Sequence, residues 1–230
     1  MTACGRTYMY WEDARPENKE TIDTVQENEM KIIFATGNAG KMKEIRMILE
    51  DLGAEILSMK EAGIALDIVE DGESYEENAL IKARAVAGTA QAKGAVVLAD
   101  DSGLEIDYLD NEPGIYSARY LGEDTPYSVK NADLIRRLEG VADVDRTARF
   151  VCAIAAVWPD GREQAVRAHV EGRIGYEERG EHGFGYDPIF YVPQFGKTTA
   201  ELTEEEKNEI SHRGQALRLM KAELATYKGE

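Results

Sequence analysis

Ala95-Val96-Val97-Leu98 runs directly into Ala99-Asp100-Asp101-Ser102-Gly103-Leu104, and the rest of the chain is organised around this stretch. The apolar run is too short for a free-standing helix and follows Gly94, so it reads as a buried strand. Such a strand delivers two adjacent carboxylates to its carboxyl end, where open α/β sheets keep their ligands. Neighbouring acids need a positive partner, commonly a magnesium ion, unless one of them is a base held ready for a proton. An acidic turn accounts for the same residues, with Asp101 or Ser102 capping local backbone and Gly103 adopting a positive φ. The pair alone leaves both readings open.

Upstream, Lys31-Ile32-Ile33-Phe34-Ala35 reads as a strand entering Thr36-Gly37-Asn38-Ala39-Gly40-Lys41. A helix follows, with Met42, Ile45, Ile48, Leu49 and Leu52 on one face and Gly53 as its stop. Strand, glycine-bearing loop and helix N-terminus form an anion-binding arrangement: amides point outward, Gly permits close approach and Lys41 adds charge. A P-loop would need Gly at 35 and Ser or Thr at 42, where this chain has Ala35 and Met42. A plain strand-to-helix turn has the same look. A short strand near Ala54–Leu57 then precedes the loop Asp67–Gly72 and a long helix from Ser74 to Lys93, with Ala79, Ala83, Val86, Ala87 and Ala90 at helical spacing. Glu70, Asp71, Glu76 and Glu77 crowd its start, which suits the helix dipole. The same placement brings one or two of them within reach of a metal held at Asp101.

Downstream, Leu104–Leu109 alternates like a half-exposed strand ending in a turn at Asp110-Asn111, and Pro113–Tyr120 reads as an aromatic-bearing loop. Pro126 opens a helix to Leu138. Ala148–Trp158, Pro159-Asp160-Gly161 and a strand from Glu163 to Ile174 make a hairpin, an antiparallel pair beside the α/β part. Next comes the loop Gly183-Phe184-Gly185-Tyr186-Asp187-Pro188. Thr203 with Glu206 forms a capping box for a helix carrying Lys207 and Ser211-His212-Arg213 and continuing through Leu217, Met220 and Leu224. Glycine and aromatics facing a Lys/His/Arg cluster can stack a base and hold phosphates, although aromatics also serve as core and Lys207 as a solvated helix face.

The 230 residues suffice for one large domain or two small lobes. Residues 1–29 show no sustained period and read as an N-terminal extension, mobile or loosely docked, with the domain spanning 30–230. No apolar run approaches a membrane span or signal peptide, which predicts a cytoplasmic protein without a membrane partner. Cys4 and Cys152 lack disulfide or zinc spacing and read as free thiols. A net charge of −17 argues against a nucleic-acid polymer as partner but leaves a single nucleotide possible, held by local cations, helix N-termini and metal.

Six motifs in chain order resemble the Ham1/inosine triphosphate pyrophosphatase family: Thr36–Lys41, Glu77-Asn78-Ala79, Ala99–Leu104, Pro113–Arg119, Phe184–Pro188 and Ser211-His212-Arg213. The resemblance spans about Lys31 to Leu224. It implies an α/β fold with an elongated mixed sheet flanked by helices, in two lobes with the active site in the cleft between them. It also implies a homodimer that hydrolyses ITP, dITP or XTP to the monophosphate and pyrophosphate by Mg²⁺-assisted attack of water on the α-phosphate. On that resemblance Asp101 is the proton acceptor and a metal ligand, and Glu70 is the second metal acid, with Asp71 and Glu77 as alternatives. Thr36, Gly37, Asn38, Ala39, Gly40, Lys41 and Lys207 hold the nucleotide. Ser102, Phe184, Gly185, Tyr186, Asp187, His212 and Arg213 complete the substrate site, and Asp100 is left as a structural or secondary partner. Another nucleotide pyrophosphatase or phosphatase on a related scaffold is the enzymatic rival. A non-catalytic nucleotide-binding module is the other.

Overall fold

The computed structural model describes residues 30–227, so the extension 1–29 and Cys4 lie outside the described residues. Seven strands form one mixed sheet in the order β2-β1-β3-β4-β5-β6-β7. They are β1 (Lys31–Phe34), β2 (Glu55–Ser58), β3 (Val96–Ile106), β4 (Thr147–Val157), β5 (Glu163–Ile174), β6 (Phe190–Val192) and β7 (Lys197–Thr198). β1 pairs in parallel with β2 and β3, and every later pairing is antiparallel. The α/β class and mixed sheet read from the sequence are therefore present.

The long strands β3, β4 and β5 run through two packing environments. At one end α1 (Ala39–Leu49) and α5 (His212–Thr226) cover one face, with Leu98, Cys152, Ile154, Leu217 and Met220 buried between them. There α2 (Tyr75–Ala87) covers the other face, with its small Ala79 and Ala83 against Val97, Ala99, Ala153 and Ala155. At the far end Leu104, Ile106, Phe150 and Ile174 pack under Leu134 and Leu138 at α3 (Tyr127–Arg137). Cys152 is a buried free thiol, pushed up to about 12 by burial, which keeps it unreactive.

Three boundaries differ from the sequence reading. The strand expected to end at the aspartates continues through them, and Leu104–Ile106 belongs to it rather than to a second strand. Two-sided burial and unbroken pairing with β4 override the turn-like composition of Asp-Asp-Ser-Gly. Gly103 lies in this strand without a positive φ. Its role is close approach, since a Cβ there would sit 2.2 Å from the Gly114 carbonyl oxygen. α2 stops at Ala87, where Gly88 caps it, short of Lys93. The C-terminal helix is two helices, α4 (Glu204–Ile210) and α5. Ser211 ends the first in an extended conformation and caps the second, its hydroxyl accepting from Gly214 N at 3.0 Å.

Candidate active site

The site forms where β1 leaves β3. β1 pairs with β3 as far as Phe34 and Leu98, Ala35 N donates once more to Leu98 O at 2.7 Å, and the chain then turns away through Thr36–Asn38 into α1. β3 continues against β4 alone, which opens its other edge at Asp100–Ser102 towards the loop. That loop is fixed locally: Thr36 Oγ1 accepts from Asn38 N at 3.1 Å, and Asn38 Oδ1 caps α1 by accepting from Lys41 N at 3.1 Å.

Successive residues of a strand face opposite sides of the sheet, and this separates the two aspartates. Asp100 faces α1 and α5. It is 1% exposed, takes Lys41 Nζ at 2.9 Å and Arg213 at 3.2 Å, and accepts from Ser102 Oγ at 3.1 Å. Burial opposes its charge, but Lys41, Arg213 and Lys82 win and hold the carboxyl below the ordinary range. Arg213 reaches on to Glu44 at 2.5 Å, Glu44 takes Lys207 at 3.1 Å, and Lys207 takes Asp187 at 2.8 Å. Burial opposes the charge of Glu44 too, and the two cations lower its carboxyl despite it. Cations and anions thus alternate along one chain of ion pairs on this face, from Lys41 to Asp187.

Asp101 faces α2 and is 8% exposed. Asn78 Nδ2 donates to its Oδ2 at 3.2 Å and Ser102 N to its Oδ1 at 3.0 Å, while Lys82 Nζ lies 3.6 Å away and donates to Glu70 Oε2 at 2.6 Å. Burial and the nearby Glu70 raise the Asp101 carboxyl above its ordinary value, with Lys82 and Asn78 pulling against them. The like-charge conflict expected between the adjacent aspartates is therefore absent. The conflict present is between Asp101 and Glu70, and Lys82 mediates it.

Of the acids weighed around the start of α2, Glu70 approaches Asp101 through Lys82, whereas Glu77 turns back to accept from Glu73 N at 2.7 Å. Asp71 is exposed. Among the described residues no three His, Cys, Asp or Glu side chains form a metal-ligand cluster. Glu70 and Asp101 are a two-carboxylate set, and Mg²⁺ binds through one or two carboxylates with substrate phosphates and water completing its shell. Both acids converge on a single ammonium, so the residues fit a hard divalent cation.

On the Asp100 side, a cavity of about 320 Å³ brings together ten of the residues expected in the substrate site. Asn38, Lys41 and Ser102 line one end, Phe184, Gly185, Tyr186 and Asp187 a wall, and Lys207, His212 and Arg213 the floor. Phe150 stacks on His212, with ring centroids 4.9 Å apart. Phe184 lies over the cations, 4.9 Å from Lys207 Nζ and 5.6 Å from the Arg213 guanidinium. Burial and the flanking Arg213 and Lys207 drive His212 well below its ordinary value, so the ring is neutral, and its Nδ1 is buried without a protein partner. Asp187 lines the cavity, but its carboxylate is engaged by Phe184 N, Thr199 Oγ1 and Lys207, so it holds the loop in shape. Gly37 and Ala39 instead border an open depression beside α1, and Gly40 lies behind Phe184, where a Cβ would come within 3.2 Å of the ring.

Residues outside the sequence-based set also belong here. Lys82 follows Asn78 by one helical turn, a polar pair interrupting the apolar face of α2, and that interruption was the available signal. Glu44 sits one turn beyond Lys41 on α1. Tyr127 and Phe150 line the cavity from segments that only tertiary packing brings near, and no local pattern marks them; Ser117, also in the lining, lies within the Pro113–Arg119 motif though outside the sequence-based set.

The Ham1 family model matches residues 32–223. A "dITP/XTP pyrophosphatase" of Bacillus subtilis is 50% identical over 186 residues, covering 81% of this chain and 92% of that protein. One from Exiguobacterium sibiricum is 47% identical over 201 residues, covering 87% of this chain and all of its own. The solved Ham1 protein of Staphylococcus aureus superposes with a TM-score of 0.75 at 41% identity, covering 86% of this chain and 100% of the other. That of Coxiella burnetii gives 0.76 at 40%, with the same coverage.

Proposed function

Because the chain belongs to the Ham1 family, we propose that it hydrolyses non-canonical purine nucleoside triphosphates, dITP, ITP and XTP, to the monophosphate and pyrophosphate. The observation that carries this reading is the cavity that joins the helix N-terminus at Asn38–Lys41 to the aromatic wall at Phe184 and Tyr186. One end offers amides and cations to phosphates, the other a stacking surface and buried polar groups to a base.

In the proposed mechanism Glu70 and Asp101 would hold Mg²⁺, which would supply charge neutralisation for the phosphates and activation of water. Asp101 accepts the proton of the water that attacks the α-phosphate; its raised carboxyl suits proton acceptance better than that of Asp100, which Lys41 and Arg213 keep ionised. Lys82 stands beside Asp101 and Glu70, and Lys41 and Lys207 hold the polyphosphate. Base selection rests on the floor of the cavity. The neutral His212 ring, whose buried Nδ1 has no protein partner, would donate from that nitrogen to a 6-carbonyl, whereas the 6-amino group of ATP would face a donor.

The same proposal takes residues 30–230 as one catalytic domain, preceded by residues 1–29, and places the protein in the cytoplasm. Among the described residues no helix is long and apolar enough to cross a membrane. Homodimer formation is supported by Tyr108, Tyr116 and Leu121, each more than half exposed in one stretch of chain. Light scattering tests that element separately.

A panel of nucleoside triphosphates with Mg²⁺, assayed for pyrophosphate and monophosphate, tests the activity. Hydrolysis of dITP and XTP well ahead of ATP and GTP is expected. Release of orthophosphate would point to the rival hydrolase, and tight binding without turnover to a non-catalytic module.

A further inference from the structure

Helix α3 carries two polar side chains that the proposed chemistry does not use, Lys130 and Asn131, each only 1% exposed. Both donate to a backbone carbonyl of a loop, and Asn131 also to a carboxylate. Lys130 Nζ donates to Ala118 O at 2.6 Å, and Asn131 Nδ2 donates to Gly185 O at 3.3 Å and to Glu178 Oε1 at 2.6 Å. Ala118 and Gly185 line the cavity from two separate stretches of chain, which form two of its walls. Adjacent residues of one helix therefore grip both walls.

The walls are also tied to each other and to the sheet. Tyr186 Oη donates to Ser117 O at 2.8 Å, and Ser117 Oγ accepts from Leu104 N of β3 at 2.9 Å. Tyr127, at the start of α3, packs edge-on against Tyr186 with ring centroids 5.2 Å apart, and a Cβ on Gly185 would come within 3.6 Å of its ring. Gly185 itself has a φ of +71°, a backbone that nothing in the regular sheet would hold. A helix needed only to cover the core would place apolar residues at buried positions, as α3 does at Leu134. Buried donors aimed at loop carbonyls fix where those loops stand.

We infer that Lys130 and Asn131 are positioning residues that set the spacing between the two walls of the base cavity, and through it discrimination among purine bases. The inference rests on the reading of this cavity as a base site. The phosphate end, at Asn38, Lys41 and Ser102, is built from α1 and its capping loop with β3 and, among the described residues, has no hydrogen bond to α3. Loosening α3 should therefore weaken recognition of the base and spare recognition of phosphate.

The test uses the near-isosteric variants Lys130→Met and Asn131→Leu of the full chain, with inhibition by inosine monophosphate and by pyrophosphate measured side by side. Each variant is expected to bind the monophosphate roughly tenfold more weakly, with pyrophosphate inhibition unchanged within about twofold and a smaller ratio of ITP to GTP kcat/KM. Lys130→Arg, which keeps a donor of similar reach, should restore the monophosphate affinity. Equal weakening towards both products, or no weakening in a folded variant, would overturn the inference. If either helix variant fails to fold, Tyr186→Phe removes the direct wall-to-wall bond while keeping the ring, and must show the same base-selective loss. Ribose 5-phosphate on the unmodified protein separates the two readings. Should inosine monophosphate bind no better than ribose 5-phosphate, the base-site reading fails and the inference with it; a clear preference that the variants leave intact removes the inference alone.

Discussion

The two faces of β3 at Asp100 and Asp101 show how neighbouring, chemically identical residues acquire different work. On one face Asp100 is enclosed by Lys41 and Arg213 and is kept ionised. On the other Asp101 shares Lys82 with Glu70, and its carboxyl is raised. The residue type is the same and the backbone continuous. What differs is the number of cations within reach, and that is decided by which helix covers each face: α1 and α5 bring Lys41 and Arg213, whereas α2 brings Lys82 alone. A saturated carboxylate is a structural counter-ion. An undersaturated one can take a metal or a proton.

The largest effect expected from this contrast is on turnover. Asp101→Asn keeps the size and the Asn78 contact but cannot accept a proton, so activity should fall by about 10²–10⁴. The protein should remain folded, because removing a carboxylate whose proton affinity is raised does not deprive the folded state of a stabilising charge. Single-turnover kinetics and thermal denaturation of the same sample check both halves, and near-normal turnover would sink the role of Asp101.

Asp100→Asn should do the reverse and act first on stability. It leaves Arg213 and Lys41 partly unpaired in a buried setting, a change that typically costs about 3–5 kcal/mol. The pH dependence carries the sign. The Asp100 carboxyl is lower in the folded state than its ordinary value of 3.8, so its stabilisation is present above that value and is lost as pH falls towards and through the depressed folded value. Acid titration of unfolding should therefore be steeper for the unmodified protein than for Asp100→Asn. Parallel profiles would show that Asp100 is not the saturated member of the pair.

Much of this was legible in the sequence, and what was not has a common cause. Asp101 and the residues of the phosphate loop, the aromatic wall and Ser211-His212-Arg213 carry local motifs, and the structure draws ten of the expected substrate residues into one cavity. The strand through Asp100 was misread as ending, because Asp, Ser and Gly favour turns and the pairing with β4 that overrides them comes from residues about fifty positions away. The opposition of the two carboxylates follows from period-two alternation once the strand is known to continue. Lys82, Glu44, Lys130 and Asn131 escaped because their partners lie in other elements: a buried polar residue on a helix looks like a solvated one until its neighbour is known.

Lys82→Met sharpens the comparison most finely, because it removes the cation that Asp101 and Glu70 share while leaving Lys41 and Arg213, the two direct partners of Asp100, in place. Without that charge the Asp101 carboxyl rises further, since Lys82 is the strongest influence holding it down. With Asp101 as the proposed base, activity depends on its ionised form and is lost as pH falls through its value. The acid limb of kcat/KM should therefore move to higher pH. The two carboxylates also face each other with less compensation, so the variant should unfold more easily in EDTA and regain more stability on addition of Mg²⁺ than the unmodified protein does. An unmoved acid limb together with an unchanged response to Mg²⁺ would mean that Lys82 does not mediate between Glu70 and Asp101. Burial and Glu70 would then set the Asp101 carboxyl without opposition from Lys82.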